Sequence, residues 1–556
     1  MSIRERLVIS FFYFKSLLKE KNYYKVKTGF NNFQQQFSSF NLDLLEKLLY
    51  NTIFLIIYGN TGRVKQELTL YKETQILINA NREYYLNSKD IFWYFYFTII
   101  SANIEMKQKN YSVSYDMLKQ VNKHFIDIKE KSRLDMIILS SIHMLLGKMH
   151  KEINYMDIAV NNFNTVIEWA LKAKNLDNTR AGYINLALTY EELGRDYLAF
   201  KTSKEFLEQV KEKFDDDQYS LSSGYNLLGN LFNRSGDFEV AKDYYLRAFS
   251  VITNSDLLQK VRSFNLNNMG VISFKLGNYL EALSYYSHAL QLAIIKQDPG
   301  ELAFYYSNIG EVNLVLNMLQ SAFENELQAI SYLEKVKNDD LLVETYFILV
   351  RICLEQNTLE KADIYIENIH QMFLTTKRKI FKYKYLISKA IKLSKEGKYV
   401  ESKEVFLSIL DNPNLSFDLQ GFALTELIKM LLDSIIHNHS NDFTDLDEII
   451  KKLSILGKQN KSLPIICNLA ILESRINLLQ SKYDSAEAGL KNAIDFCVER
   501  NVEYFKSKLQ YELEFLYELK ESNPESVRSL LINKIGSNES LGSIKGIQRL
   551  ISNNLS

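Results

Sequence analysis

Residues 268–277 read Asn-Met-Gly-Val-Ile-Ser-Phe-Lys-Leu-Gly, and an alanine, Ala282, follows shortly after them. The same pattern recurs along the chain: a small residue in mid-pattern, a Gly or Asn at its end and an alanine beyond. The small residue falls at Gly147, Ala187, Gly229, Gly270 and Gly310, at intervals of 40, 42, 41 and 40 residues. A fixed period of this length is typical of stacked supersecondary units.

Each repeat has the pattern of two antiparallel helices. The small residue of the first helix and the alanine of the second, such as Gly270 and Ala282, would let the two helices approach closely. Polar clusters such as Asp298-Pro299 offer an N-cap to the next helix, and we expect helices from about Pro299 to Leu316 and from Met318 to Val336. A residue suited to left-handed C-terminal capping ends the first helix at Gly194, Gly236, Gly277, Asn317, Asn357 and Gly397.

Extending this register in both directions predicts about twelve units of roughly 40 residues. The fold class predicted is therefore all-α, a solenoid of antiparallel helix pairs. We divide the chain into divergent N-terminal hairpins at 1–130, a core array at 131–410, degenerate C-terminal hairpins at 411–523 and a polar tail or cap at 524–556.

Composition excludes several classes of protein. The chain has 556 residues, 46% of them hydrophobic and 24% charged, which indicates a folded protein. The chain has only 20 glycines and 4 prolines, and this low content disfavours turn-rich β-folds. Because 67 Lys and Arg balance 67 Asp and Glu, there is no global positive field to hold a nucleic acid.

Processing and compartment follow from local patterns. The apolar run 91–100 is about half the roughly 20 residues that span a bilayer, so we expect no membrane association. The amino terminus lacks a small-residue cleavage site, and we do not expect a signal peptide. Cys353, Cys467 and Cys497 are odd in number and lack C-x-x-C spacing, which favours a reduced, cytoplasmic compartment.

The repeated pattern around Gly229, Gly270 and Gly310 resembles the tetratricopeptide repeat, which has an aromatic residue, Leu, a small residue, Gly and Ala at fixed positions. It departs from that repeat in length, about 40 residues against 34, and in lacking the terminal proline. The long repeats are similar to MalT-like sensor arrays and Rap-type peptide receptors, and 385–519 resembles large archaeal tetratricopeptide proteins. The resemblance implies a right-handed superhelix whose concave groove holds an extended peptide or helix of a partner, as a protein-protein interaction scaffold.

The resemblance also implies candidate peptide-binding residues. In related arrays an asparagine of the first helix contacts the peptide backbone, and Asn185, Asn268 and Asn308 occupy that position here. Asn226 lies beside it in the Gly229 repeat, and Asn230 and Asn267 are expected to face inward. Asn is a poor mid-helix residue, so its recurrence favours binding, but these amides could equally satisfy groups within the stack.

Other candidates favour structural interpretations. The basic cluster 377–384 is interpreted as a solvated turn and helix start, and His437 with His439 lacks further metal ligands at a recognisable spacing. No nucleotide-binding, metalloprotease or nucleophile-elbow motif is present, so we predict no catalytic residue, no metal and no cofactor. The alternative to a scaffold is a ligand-gated regulatory sensor of the MalT or Rap type, which would bind a peptide or small molecule and act on a separate effector.

Overall fold

The structure is a computed structural model of the full chain. It describes residues 2–19, 23–37, 40–60, 63–87, 91–126, 128–215, 217–252, 259–336, 338–412, 415–438, 442–459, 462–500 and 502–520. The predicted tail at 524–556 lies outside these residues.

The described residues form 26 α-helices and no strand. In chain order the first thirteen are α1 (Ile3–Lys19), α2 (Tyr23–Phe37), α3 (Leu44–Asn60), α4 (Val64–Ala80), α5 (Arg82–Leu86), α6 (Ile91–Lys107), α7 (Tyr111–Ile126), α8 (Arg133–Glu152), α9 (Met156–Lys172), α10 (Leu176–Glu192), α11 (Asp196–Lys213), α12 (Gln218–Arg234) and α13 (Phe238–Ser250). The others are α14 (Gln259–Lys275), α15 (Tyr279–Lys296), α16 (Pro299–Val315), α17 (Leu319–Leu333), α18 (Asp339–Glu355), α19 (Leu359–Thr376), α20 (Lys379–Lys395), α21 (Tyr399–Leu410), α22 (Phe417–His437), α23 (Thr444–Gln459), α24 (Leu463–Leu479), α25 (Tyr483–Glu499) and α26 (Glu503–Lys520). None of these helices has the length and apolar character that a membrane crossing requires.

The predicted all-α array of helix pairs is confirmed. Setting aside the five-residue α5, the helices form twelve consecutive pairs followed by α26. The pair α16 and α17 begins and ends within three residues of the bounds predicted from sequence. Asp298 caps α16 as expected, because its carboxylate accepts hydrogen bonds from the backbone N–H groups of Gly300 and Glu301.

The small residues of the first helices lie where the two helices of a pair cross. A Cβ built on Gly147, Gly229 or Gly270 would lie 2.6 Å from an aromatic ring of the following helix, that of Phe163, Tyr245 or Tyr286. These rings are each 16 residues after their glycine. Real Cβ atoms do not approach so closely, so the aromatic ring occupies space that a side chain would otherwise take.

The predicted helix ends are also confirmed. Gly194, Gly236, Gly277 and Gly397 have φ values of +67°, +81°, +82° and +75°, and Asn317 and Asn357 have +59° and +55°. Glycine and asparagine tolerate this left-handed region best, which explains why the same two residue types recur at the end of the first helix.

The chain divides into two compact units. Unit 1 comprises Met1–Phe232, Val240–Asn265 and Ile295–Gln297, and unit 2 comprises Asn233–Glu239, Leu266–Ile294 and Asp298–Ser556. This division falls inside the predicted core array of 131–410. The division of the chain into four parts stays a prediction.

In unit 2 the last helices contact the first ones. The Tyr504 hydroxyl of α26 donates a hydrogen bond to the Val315 carbonyl oxygen of α16 at 3.1 Å. The Tyr504 ring meets the Tyr279 ring of α15 edge-on, with centroids 4.8 Å apart. Phe505 packs against Tyr279 and lies under Gly277, so one hydrophobic core joins α15 and α16 to α24, α25 and α26.

Candidate functional site

A cavity of about 830 Å³ lies within unit 2. Six alternate helices, α16, α18, α20, α22, α24 and α26, each contribute lining side chains. Five of them are the first helices of their pairs, the ones expected to face inward, and α26 follows the last pair. The volume lies within the range of about 300–1,000 Å³ that is usual for ligand-binding pockets.

The wall of the cavity is built by the 40-residue period. Glu344, Lys384, Asn468 and Lys508 all line it, from α18, α20, α24 and α26. Within each of the pairs Glu344–Lys384 and Asn468–Lys508 the separation is 40 residues, and the two side chains are hydrogen-bonded. Side chains at equivalent inward positions of two adjacent inner helices, one repeat apart in sequence, are therefore in contact.

Most charged side chains of the wall are paired. Arg351 Nη1 lies 3.3 Å from Glu311 Oε1, and Lys384 Nζ contacts the Glu344 carboxylate. Two further pairs, Lys429 with Glu426 at 2.7 Å and Arg475 with Glu512 at 2.6 Å, lie on α22 and between α24 and α26. A charge removed from water requires such pairing, which gives the cavity fixed sites of both signs.

Aromatic rings separate these charges. The Arg351 guanidinium lies over the Phe422 ring, 4.9 Å from its centroid, and Lys384 Nζ lies 5.5 Å from the centroid of Phe347. Burial lowers the pKa of Lys384 to about 8, against the opposing fields of Glu311 and Asp340. The lining therefore combines apolar faces with a small number of oriented polar groups, as ligand pockets do.

Lys508 differs from the other buried cations of the wall. It is 5% exposed, and its Nζ donates a hydrogen bond to the neutral Asn468 Oδ1 at 2.9 Å. Burial lowers its pKa to about 7, and the positive charges of Lys429 and Arg475 add to this effect. Glu512 and Cys467 act in the opposite direction.

Three of the six predicted peptide-binding asparagines lie in unit 1. Asn185 Nδ2 donates to the Ala181 carbonyl of its own helix, and Asn230 Oδ1 accepts from the Tyr245 hydroxyl at 2.6 Å. Asn226, which is buried, donates to the side-chain oxygen of Asn265 at 2.5 Å. These amides serve the packing of their own stack.

The other three asparagines lie in unit 2. Asn267 and Asn268 are buried, and Asn267 Oδ1 accepts a hydrogen bond from Asn308 Nδ2 at 2.8 Å. Asn308 is half-buried and lines the cavity. Of the six predicted residues it is the one among the cavity-lining side chains, and peptide binding by all six stays a prediction.

Sequence reasoning missed the lysines and arginines of the cavity. The cluster 377–384 was interpreted as solvated, but Lys384 is 7% exposed and lines the cavity. These cations lie far apart in sequence, so no local pattern groups them. The signal that could have found them is an acidic residue followed by a basic residue one repeat, or 40 positions, later, as in Glu311–Arg351 and Glu344–Lys384.

The remaining candidates have structural surroundings. His437 Nδ1 lies 2.8 Å from the Asp433 carbonyl oxygen and 3.4 Å from the Tyr399 hydroxyl, whereas His439 lies outside the described residues. All three cysteines are buried and free, and Cys467 and Cys497, separate in sequence, have their Sγ atoms 3.3 Å apart. Among the described residues, no group of three or more His, Cys, Asp or Glu side chains could hold a metal ion.

The family comparison identifies the repeats. The tetratricopeptide repeat family profile matches residues 222–254 and 265–293, which cover α13 and most of α12, α14 and α15. These two segments are tetratricopeptide repeats. No curated protein matches the chain.

Solved structures share limited similarity with this chain. The apo form of the quorum sensor NprR from B. thuringiensis has 14% identity and a TM-score of 0.41, over 67% of this chain and 100% of that chain. Aspartyl phosphate phosphatase F from Bacillus subtilis has 14% identity and a TM-score of 0.42, over 67% and 94%. BtubC (BKLC) from P. vanneervenii has 16% identity and a TM-score of 0.32, over 46% and 94%.

Proposed function

We propose that this chain is a non-catalytic interaction protein that binds an extended peptide segment of a partner in the cavity of unit 2. The observation that carries the proposal is the cavity itself, which is built from the inner helices of successive repeats. Repeat proteins of this kind use such concave surfaces for binding. The supporting family evidence is the tetratricopeptide repeat match.

The lining suits a peptide better than a small apolar molecule. Phe347 and Phe422 offer apolar faces, and Arg351 and Lys384 lie against those rings. Peptide side chains of both polarities would find partners on this wall. Asn308, which lines the same cavity, has an amide of the type that can hydrogen-bond a peptide backbone.

A selection experiment tests the proposal. Phage-displayed heptapeptides are selected on the immobilised full chain, and the affinities of the enriched peptides are measured for the wild type and for Ser394→Trp, which places an indole on the cavity wall. The matched control is Gln371→Trp on the exposed face of α19. We expect at least a tenfold loss of affinity with Ser394→Trp and none with the control.

Two results would contradict the proposal: no enriched peptide, or peptides that bind Ser394→Trp as tightly as the wild type. If Ser394→Trp unfolds, Thr425→Trp on α22 fills the same cavity from another helix. Circular dichroism and thermal unfolding of each variant show whether the fold is kept.

A second candidate function is a regulator that responds to a bound peptide. The contacts of α26 with α15 and α16 favour it, because a ligand that alters the spacing of the inner helices would strain or relieve them. Hydrogen exchange of α26 amides with and without a selected peptide tests this candidate. Unchanged exchange in α26 would contradict it.

A further inference from the structure

Two of the three cysteines of the chain are in contact. The Sγ atoms of Cys467 on α24 and Cys497 on α25 lie 3.3 Å apart, close enough for one thiol to donate a hydrogen bond to the other. Both side chains are fully buried. Cys353 is equally buried but packs in a different hydrophobic cluster. Two sulfurs in contact need only a small shift to become bonded.

Cys497 is placed to react first. A hydrogen bond from Cys467 lowers the pKa of the Cys497 thiol, the Arg500 guanidinium adds to this effect, and burial opposes it. The same hydrogen bond and burial raise the pKa of Cys467, so Cys467 keeps its proton. Cys497 also lies in the last turn of α25, which ends at Glu499. Because helix ends open locally at low cost, and because the thiolate is the reactive form, Cys497 is the sulfur that a reagent meets first.

The pair lies beside the contacts that hold α26. Cys467 and Cys497 share one hydrophobic core with Tyr504 and Phe505 of α26. The backbone N–H of Val502, just before α26, donates a hydrogen bond to the Cys497 carbonyl oxygen at 3.0 Å. A bond between the two sulfurs would therefore tie the end of α25, and with it the start of α26, to α24. Neither cysteine lines the cavity.

We propose that Cys467 and Cys497 are a redox-sensing dithiol, which hydrogen peroxide converts to a disulfide that holds α26 against α15 and α16. Disulfides in reducing compartments are usually transient and redox-sensing. Peroxide suits this site better than glutathione disulfide, since both thiols are enclosed by the core and a small oxidant needs the smaller opening. Oxidation requires no peptide in the cavity.

The oxidation takes place in two steps. The Cys497 thiolate attacks one oxygen of hydrogen peroxide, the O–O bond breaks, and a sulfenic acid forms on Cys497 while hydroxide leaves and takes up the proton that the thiol released. The Cys467 sulfur then attacks the sulfenic sulfur, so that the S–S bond forms, the S–O bond breaks and water leaves with the Cys467 proton. Together the two thiols lose two electrons and two protons, and one peroxide is reduced to two molecules of water.

Peptide mapping of the full chain tests the reaction. Reduced protein is treated with hydrogen peroxide or with glutathione disulfide, and the remaining thiols are alkylated after denaturation. We expect peroxide to join Cys467 to Cys497 and to leave Cys353 open to alkylation in the same sample. Glutathione disulfide should react at least tenfold more slowly, and dithiothreitol should restore both thiols.

Two variants identify the attacking sulfur. In Cys467→Ala the sulfenic acid on Cys497 has no thiol to react with and should be trapped by dimedone, whereas Cys497→Ala should give at least tenfold less labelling. Cys353→Ala removes an equally buried thiol and should leave the disulfide and its rate of formation unchanged. Equal labelling of Cys467→Ala and Cys497→Ala would overturn the assignment of Cys497 as the attacking sulfur.

Hydrogen exchange of the α25 and α26 amides tests the effect on the fold. Exchange in the oxidised wild type should be at least tenfold slower than in the reduced protein, because the disulfide restricts the opening of both helices. Cys353→Ala should show the same slowing when it is oxidised.

Three results from the wild type alone would overturn the proposal, so it stays testable if a variant fails to fold. Peroxide that leaves Cys467 and Cys497 unjoined overturns the redox site. Faster reaction with glutathione disulfide overturns the assignment to peroxide. A disulfide that forms without slowing exchange in α26 overturns its effect on that helix. Peptides whose binding depends on Ser394 leave the proposed function standing in each case.

Discussion

Replacing Glu326 by glutamine should stabilise unit 2 at neutral pH. Glu326 is fully buried on α17, at the position 16 residues after Gly310 where other repeats place an aromatic ring. The Ser307 hydroxyl donates a hydrogen bond to its Oε2 at 3.0 Å, and its Oε1 has no partner among the described residues. Burial raises the pKa of this carboxyl well above 4.5, an effect that the Ser307 hydroxyl opposes and the Glu311 charge reinforces.

The size of the effect follows from proton linkage. The folded protein keeps the Glu326 proton at a pH where the unfolded chain has already released it, so the folded state binds more protons and stability falls as pH rises. The fall begins near the unfolded pKa of 4.5 and ends at the raised folded pKa. Its slope is about 1.4 kcal/mol per pH unit. Glutamine has no proton to release, so the advantage of Glu326→Gln should grow with this slope for as long as the folded protein keeps the Glu326 proton.

Hydrogen exchange of the α16, α17 and α18 amides at pH 5, 6, 7 and 8 measures this effect. Both tryptophans, Trp93 and Trp169, belong to unit 1, so their fluorescence does not report on the unit that contains Glu326. Glu324→Gln, two residues away on the same helix but exposed, is the control and should match the wild type at every pH. A difference between Glu326→Gln and wild type that stays constant from pH 5 to pH 8 would refute the reasoning.

Three further predictions concern other features of the fold. Gly270→Ala should destabilise the protein by about 1–3 kcal/mol in urea unfolding, because its Cβ would lie 2.6 Å from a tyrosine ring, whereas Gly489→Ala in open space should be neutral or stabilise by up to about 1 kcal/mol. Diamide should join Cys467 to Cys497, whose sulfurs are 3.3 Å apart, and leave the third cysteine free; peptide mapping that finds another pairing would contradict this. Asn308→Ala should weaken the binding of selected peptides at a cost of about 1 kcal/mol in stability, and unchanged affinity would remove Asn308 from the binding site.

The local parts of the fold could be predicted from sequence because each repeat is specified by its own residues. The positive φ at Gly277 and Asn317 and the close approach at Gly270 depend on a few neighbouring positions, and the pattern appears several times over. Because the pattern recurs, the helix end assigned in one repeat is supported by the same residue types in the others. The period thus gave the helix pairs and their bounds.

The cavity could not be predicted in this way. Contact between α26 and α16 depends on small rotations between repeats that accumulate over about 200 residues, and no local residue pattern records them. Lys384 was placed in solvent because a lysine in a basic cluster usually is exposed. Cys467 and Cys497 meet because they lie on adjacent antiparallel helices, at positions that only the register of α24 and α25 determines.

Contact of α26 with α15 and α16 changes how unit 2 can fold, because it joins residues that are far apart in sequence. In an open repeat array every interaction is between sequence neighbours, so the chain can fold outward from any nucleus and its contact order stays low. The hydrogen bond from Tyr504 to Val315 joins residues 189 positions apart. Forming it requires a large loop to close, which makes this the slow and cooperative step. Loss of α26 should therefore expose apolar surface at both ends of the stack at once.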